Sequence, residues 1–278
     1  MGPGLTPVPL ADAHEEALYG GKAVSLGAAL RAGLPVPPGV AVAASLVDAV
    51  AAGHDWAVVS VLGSAHLPGG RLAVRSSAVG EDSADSSFAG QHATLLNVTR
   101  ERVVDAVRDV WQSGRSDSAL AYRERKGIAA APAVGVVIQL LVDAHAAGVL
   151  FTRNPITGAD ERLIEAAWGL GEVVVSGRIV PDYYRLSADG ETLEVVPGDK
   201  DVRIERDDQG GTIEVVVSES LRHMPCLHPG RLERLNALAE RCRDVWGHHL
   251  DLEFAFGPDD SLYLLQSRPI TTGRPQTT

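Results

Sequence analysis

The run AVGVVIQLLV, residues 133–142, constrains the fold more than any other stretch of this chain. It is apolar almost without interruption and has no polar side to offer water. It therefore reads as a strand covered on both faces. Such a strand needs a substantial core around it, and 278 residues can supply one, as one large domain or as two lobes. Aromatic residues make up only 5% of the chain against 45% hydrophobic, so that core is expected to be built of small aliphatics. The exception within the run is Gln139, whose side-chain amide must find a hydrogen-bond partner there.

The remaining elements are mixed. After Gly20-Gly21 a helical period runs through Ala23, Leu26 and Leu30; Gly33 stops it and Pro35, Pro37 and Pro38 forbid its continuation. RLAVR, 71–75, reads as a strand with Arg75 at its end. ERVVDAVRDVWQ, 101–112, sets Val103, Val104, Val107, Val110 and Trp111 on one helical face. AGVLFT and RLIEAAW read as strands, and three short β-like segments between 193 and 217 as a meander. RLERLNALAERCRDVW, 231–246, is an amphipathic helix through Leu232, Leu235, Leu238, Cys242 and Val245, ended by Gly247.

DLEFAF and SLYLLQSR, joined by GPDD, form a predicted hairpin. A four-residue turn sets position 256 opposite 261 and 251 opposite 266. Pleat alternation then gathers Asp251, Glu253 and Gln266 on one face, continued by Arg268, and leaves Leu252, Phe254, Tyr263 and Leu265 for the core. The polar face admits two readings. It is a site for a hard divalent cation beside an anion gripped by Arg268, or an exposed salt-bridged surface.

Two other stretches carry the same ambiguity. Gly20-Gly21-Lys22 is a plain helix start, or one whose backbone N–H groups, dipole and lysine attract an anion; its spacing is not a Walker A motif. Arg75 precedes SSAVGEDSADSSFAGQ, 76–91, a loop poor in core-forming residues that suits a segment closing over something polar. There Gly90 and Gln91 are candidate phosphate donors; the other reading is a surface arginine before an ordinary loop.

Several classes are disfavoured. A net charge of −11 argues against nucleic acid as the main partner. Cys226 and Cys242 make neither a zinc pattern nor a disulfide framework, and Cys242 falls on the apolar face of its helix. No signal peptide or membrane-length apolar run occurs, so the expected surroundings are the reducing cytoplasm. The nine histidines, His248-His249 included, stand in no evident catalytic context, and that pair reads as helix-end residues.

Taken in order, GGKAVSLGAALRAGLPVPPGV, AVRSSAVGEDSADSSFAGQHATLLNV, VGVVIQLLVDAHAAGVLFTRNPITG, EAAWGLGEVVVSGRIVPDYY and DLEFAFGPDDSLYLLQSRPI resemble the N-terminal ATP-binding domain of the phosphoenolpyruvate synthase and pyruvate phosphate dikinase family. Rifampicin phosphotransferase and glucan water dikinase share that domain. The resemblance spans roughly residues 15–272. It implies an α+β, ATP-grasp-like, two-lobed fold with mixed or antiparallel sheets and ATP in a cleft. The lobes are then expected at 1–140 and 141–272, before a disordered tail at 273–278.

By the same resemblance Lys22, Arg75 and Arg268 contact phosphate and are the catalytic cations. Glu253 and Gln266 ligate Mg2+, with Asp251 nearby. Gly90, Gln91 and Thr94 belong to a loop covering the phosphates, and Gln139, Leu140 and Val142 to the adenine side. Family members more often carry methionine where Leu140 or Leu141 stands. In the family, ATP gives a phosphoryl or pyrophosphoryl group to a histidine of a swivelling domain. No Thr-Ser-His-type motif follows Pro269, so the chain is expected to be either a truncated piece of such an enzyme or a stand-alone subunit whose partner is a separate protein bearing that histidine. A nucleotide-binding module without turnover and a direct small-molecule kinase are the alternatives.

Overall fold

A computed structural model of the protein describes residues 4–79, 93–115 and 133–270. The chain divides into two compact units, each discontinuous in sequence. The first is Met1–Arg31, Pro37–Leu141 and Arg206–Thr212; the second is Ala32–Val36, Val142–Glu205 and Ile213–Thr278. The segments 32–36 and 206–212 go to the unit opposite their sequence neighbours, which one cut after residue 140 does not anticipate.

The first unit is built on an antiparallel sheet of β1 (Val8–Pro9), β2 (Gly39–Val42), β3 (Leu72–Ala78), β4 (Thr94–Val98) and β5 (Val134–Leu140), in the order β1-β2-β5-β3-β4. The apolar run 133–142 forms β5, central and buried along nearly all its length. One sheet face carries Val40, Val42, Leu72, Val74, Val136 and Ile138 into the main core. Leu46, Val47 and Val50 of α3 (Ala44–Ala51), Ala57 and Val61 of α4 (Asp55–Leu62), and Val103, Val107 and Val110 of α5 (Val103–Ser113) complete it. The other face is made small, with Gly39, Ala41, Ala73 and Gly135, so that α1 (Glu16–Tyr19) and α2 (Gly21–Arg31) approach the strands closely. A Cβ on Gly135 would stand 2.5 Å from Tyr19 O. Asn97 Nδ2 donates to Asp207 O and Gly211 O at 2.6 and 2.7 Å, fastening the 206–212 segment within this unit.

The strand read as RLAVR continues through Ala78, so Arg75 lies in mid-strand rather than at a strand end. Backbone pairing with β5 extends to Ala78, and the small residues Ser76 and Ser77 are no obstacle to it.

The second unit carries a six-stranded antiparallel sheet, ordered β13-β12-β6-β7-β8-β9. The strands are β6 (Ala146–Phe151), β7 (Glu161–Trp168), β8 (Asp182–Ser187), β9 (Thr192–Val196), β12 (Leu250–Phe256) and β13 (Leu262–Pro269). β10 (Val202–Arg206) and β11 (Thr212–Val216) form a separate two-stranded ladder. The expected meander is thus wrong in its partners: β9 pairs with β8, and only β10 and β11 pair with each other. Two short helices, α6 (Glu172–Val175) and α7 (Glu219–Arg222), precede the long α8 (Pro229–Trp246). That helix buries Leu232, Leu235, Leu238 and Cys242 and ends on Gly247 in the left-handed region, as its sequence pattern requires.

Buried polar groups pin the loops of this unit. Asp182 and Lys200, both fully buried, form an ion pair. The other oxygen of Asp182 accepts from Cys226 N at 2.7 Å. Arg231 bonds Asp260 Oδ1 at 2.7 Å and Cys226 O at 3.0 Å, meets His145 Nδ1 at 3.3 Å and lies over the Phe256 ring. No described helix is long and apolar enough to cross a membrane.

Candidate functional site

In the first unit Lys22 is fixed by backbone and Arg75 is placed by strand pairing. Gly20, at φ +79°, sits so close to β3 that a Cβ would lie 1.9 Å from Ser77 O. This approach lets the start of α2 dock on the strand. Ala23 N donates to Ser77 Oγ at 3.0 Å, so a neighbouring strand supplies the helix cap, and Lys22 Nζ donates to Ser76 O at 2.8 Å. Lys22 and Arg75 are only 5% and 8% exposed. Arg75 stands directly opposite Thr94 on one side and Val137 on the other. Alternation puts Arg75, Ser77, Val137 and Gln139 on the same sheet face. Gln139 meets its requirement by donating Nε2 to Pro37 O at 2.9 Å. Leu140, partly buried, closes β5, and Val142 begins the second unit. Gly90 and Gln91 lie outside the described residues, as does the loop 80–92.

In the second unit the hairpin face is fixed by register. Asp251 pairs with Arg268 and Glu253 with Gln266. Arg268 Nη2 donates to Glu253 Oε1 at 3.0 Å. Gln266 is buried and Glu253 partly so. The expected pairing of 251 with 266 and 256 with 261 is incorrect. The turn takes five residues, closed by Gly257 N to Ser261 O at 2.8 Å, so Phe256 faces Leu262. A bulge between Glu253 and Phe254 then shifts the register once more. The first shift flips the faces near the turn and the second restores them near the strand ends. Hence Asp251, Glu253, Gln266 and Arg268 still share a face. Leu264 is the buried core residue instead of Tyr263 and Leu265.

The same face runs on across the sheet. Glu253 pairs with Val149, Val149 with Glu165, and Glu165 with Tyr183. Glu165 is thus a further carboxylate two strands from Glu253, about 10 Å away at ordinary strand spacing. Its signal was present as the one acid inside the apolar stretch LIEAAW. His248 and His249 do not end the helix; they bridge Gly247 and β12, and His249 Nε2 meets Arg153 Nη1 at 3.3 Å.

Among the described residues no three His, Cys, Asp or Glu side chains gather as a metal cage. Two carboxylates and an amide on one face are instead a donor set for Mg2+, which takes few protein ligands and fills its shell with phosphate oxygens and water. The hairpin residues fit that ion.

Residues 56–278 match the family model described as pyruvate phosphate dikinase, AMP/ATP-binding domain. The chain is 39% identical to the prodigiosin synthesizing transferase PigC of Serratia marcescens, over 91% of this chain and 31% of that protein. It is 35% identical to a probable phosphoenolpyruvate synthase of Methanothermobacter thermautotrophicus, over 92% and 44%. With the uncharacterized phosphotransferase YvkC of Bacillus subtilis it shares 38% identity over 72% and 24%. The chain thus spans about a quarter to under half the length of these relatives. Among solved structures it is similar to the D-alanine-D-alanine ligase from Coxiella burnetii, with 13% identity and a TM-score of 0.37 over 93% of this chain and 49% of that one. It is also similar to the VanG D-Ala:D-Ser ligase from Enterococcus faecalis, with 12% identity and a TM-score of 0.45 over 93% and 55%.

Proposed function

The chain belongs to the pyruvate phosphate dikinase, AMP/ATP-binding domain family, and on that footing we propose that it binds Mg-ATP and carries out the first half-reaction of a dikinase-type phosphotransfer. Lys22, Arg75 and Arg268 contact the phosphates. Glu253 and Gln266 hold the magnesium ion, with Asp251 beside them. Gly90, Gln91 and Thr94 cover the phosphates, and Gln139, Leu140 and Val142 border the adenine.

The observation that carries it is the hairpin face, where Asp251 pairs with Arg268 and Glu253 with Gln266. An arginine touching a magnesium-type ligand is wasteful in a plain surface. It is apt where the two later part, the acid to the metal and the guanidinium to phosphate. When bound, the metal neutralises charge on the phosphate oxygens. Lys22, already held by backbone, and the two arginines stabilise the charge that develops in transfer. The phosphoryl or pyrophosphoryl group passes to a histidine outside these 278 residues, on a swivelling domain, and the working place is the cytoplasm.

The test is product analysis by chromatography, with and without candidate partner proteins. The proposal expects AMP and a phosphorylated histidine only with the partner. Lasting ADP, or full turnover without a partner, would instead establish a direct small-molecule kinase. Nucleotide binding with no turnover under any partner would establish a sensing module.

A further inference from the structure

We infer that the second unit contains a pocket for a small organic oxyanion, formed by Arg153, His248 and His249 with Pro269 and Ile270. It shares no residue with those given above to the nucleotide and the metal. Neighbouring strands bring these residues together. Arg153 and Asn154 follow β6, the histidines precede β12, and Pro269 and Ile270 end β13. Thr152 N donates to Leu250 O at 2.9 Å, Leu250 N to Thr152 Oγ1 at 2.8 Å, and Ile270 N to His249 O at 3.0 Å. The three chain ends are thereby tied around a cavity of about 470 Å³ lined by Arg153, Asn154, His248, His249, Pro269 and Ile270.

The charge pattern names the ligand class. Arg153 makes no ion pair among the described residues; its partners are Gly158 O at 2.6 Å and His249 Nε2 at 3.3 Å. The carboxylates around it are committed elsewhere. Asp160 and Glu240 are shared by Arg162 and Arg243, and Glu161 is held by Asn154 and Arg185. His249 Nε2 faces the guanidinium and offers it a neutral acceptor, so the charge of Arg153 has no carboxylate partner among the described residues. A half-buried arginine without a carboxylate partner, on the wall of an open cavity, calls for an oxyanion. Asn154 is spent on its own turn, accepting from Ile156 N and Thr157 N. The cavity is larger than a bare ion needs and falls in the range of small-molecule sites. Pro269 and Ile270 supply an apolar wall for the rest of the molecule.

The test is calorimetric titration of the whole chain with inorganic phosphate, phenyl phosphate and benzoate. Phenyl phosphate or benzoate should bind more tightly than inorganic phosphate, and the better of the two identifies the anionic head. Arg153→Gln should weaken binding by about ten-fold or more with an unchanged melting temperature. Ile270→Ala should weaken the aromatic probes alone. If Arg153→Gln fails to fold, His248→Gln, at an exposed position, should still lower affinity several-fold. The inference is overturned if none of the three probes binds at about 10 mM, the weak end of specific recognition. It is equally overturned if both variants bind like the wild type, including the case in which Arg75→Gln removes the binding instead.

Discussion

Lys22 of the first unit and Arg268 of the second are both cations held next to an oxygen, yet the chain places them by different means. Lys22 is set by tertiary contact. A glycine without a side chain lets a helix start touch a strand, and the ammonium then lands on Ser76 O. Arg268 is set by strand register, opposite Asp251 and bonded to Glu253. The first plan leaves almost no trace in local spacing. The second is written into pleat alternation, where a change of register by two preserves the face. The first should therefore be fragile to a single methyl group, and the second to removal of side chains.

The largest effect is expected from Gly20→Ala. Its Cβ would meet backbone oxygen at 1.9 Å in a backbone conformation that suits glycine. The cost should be about 3–5 kcal/mol, read as a large drop in melting temperature. An unchanged melt would erase the contrast between the two plans. Next, Arg75→Ala and Arg268→Ala should each slow AMP formation with a competent partner by about a hundred-fold, near 2.7 kcal/mol. They should leave the melting temperature nearly unchanged; equal losses in rate and in fold would mean that both are merely structural. Ser77→Ala removes the cap that β3 lends to α2 and should cost about 1 kcal/mol of stability.

The smallest effect concerns pH. Burial, then the Arg231 and Arg203 guanidinium groups, hold His145 below the ordinary histidine pKa. The unfolded chain therefore binds the proton more readily. This contribution is whole above about pH 6.5 and is lost as pH falls through that value toward the folded-state pKa. His145→Gln should melt with a shallower pH dependence between neutral and mildly acid buffer. The same slope in both proteins would remove His145 as the cause.

The sequence made the central strand, the long C-terminal helix and the polar hairpin face legible, because each rests on periodicity. Gln139 even announced its need for a partner. The periodic signal does not record loop closure or bulges, and so the hairpin register departs from it twice. The two shifts cancel in parity near Asp251 and Glu253 but not at Tyr263 and Leu264. β9 pairs with the strand just before it, β8, across the turn 188–191, so a grouping that starts at residue 193 leaves out its partner. Ser76 and Ser77 read as loop and so set Arg75 at a strand end, although pairing with β5 carries the strand past them. Glu165 escapes a local reading because its relation to Glu253 runs across β6, far away in sequence. The docking of Gly20 and Lys22 on β3 lay beyond any local reading for the same reason.

The central claim is that the hairpin face receives the metal that travels with ATP. Calorimetric titration of ATP into the wild type and Glu253→Ala, each with and without magnesium, tests it most directly. The account predicts that magnesium tightens ATP binding markedly in the wild type and little in the variant, while binding without metal is similar in both. No ATP binding to the wild type, or an equal gain from magnesium in both proteins, would contradict it.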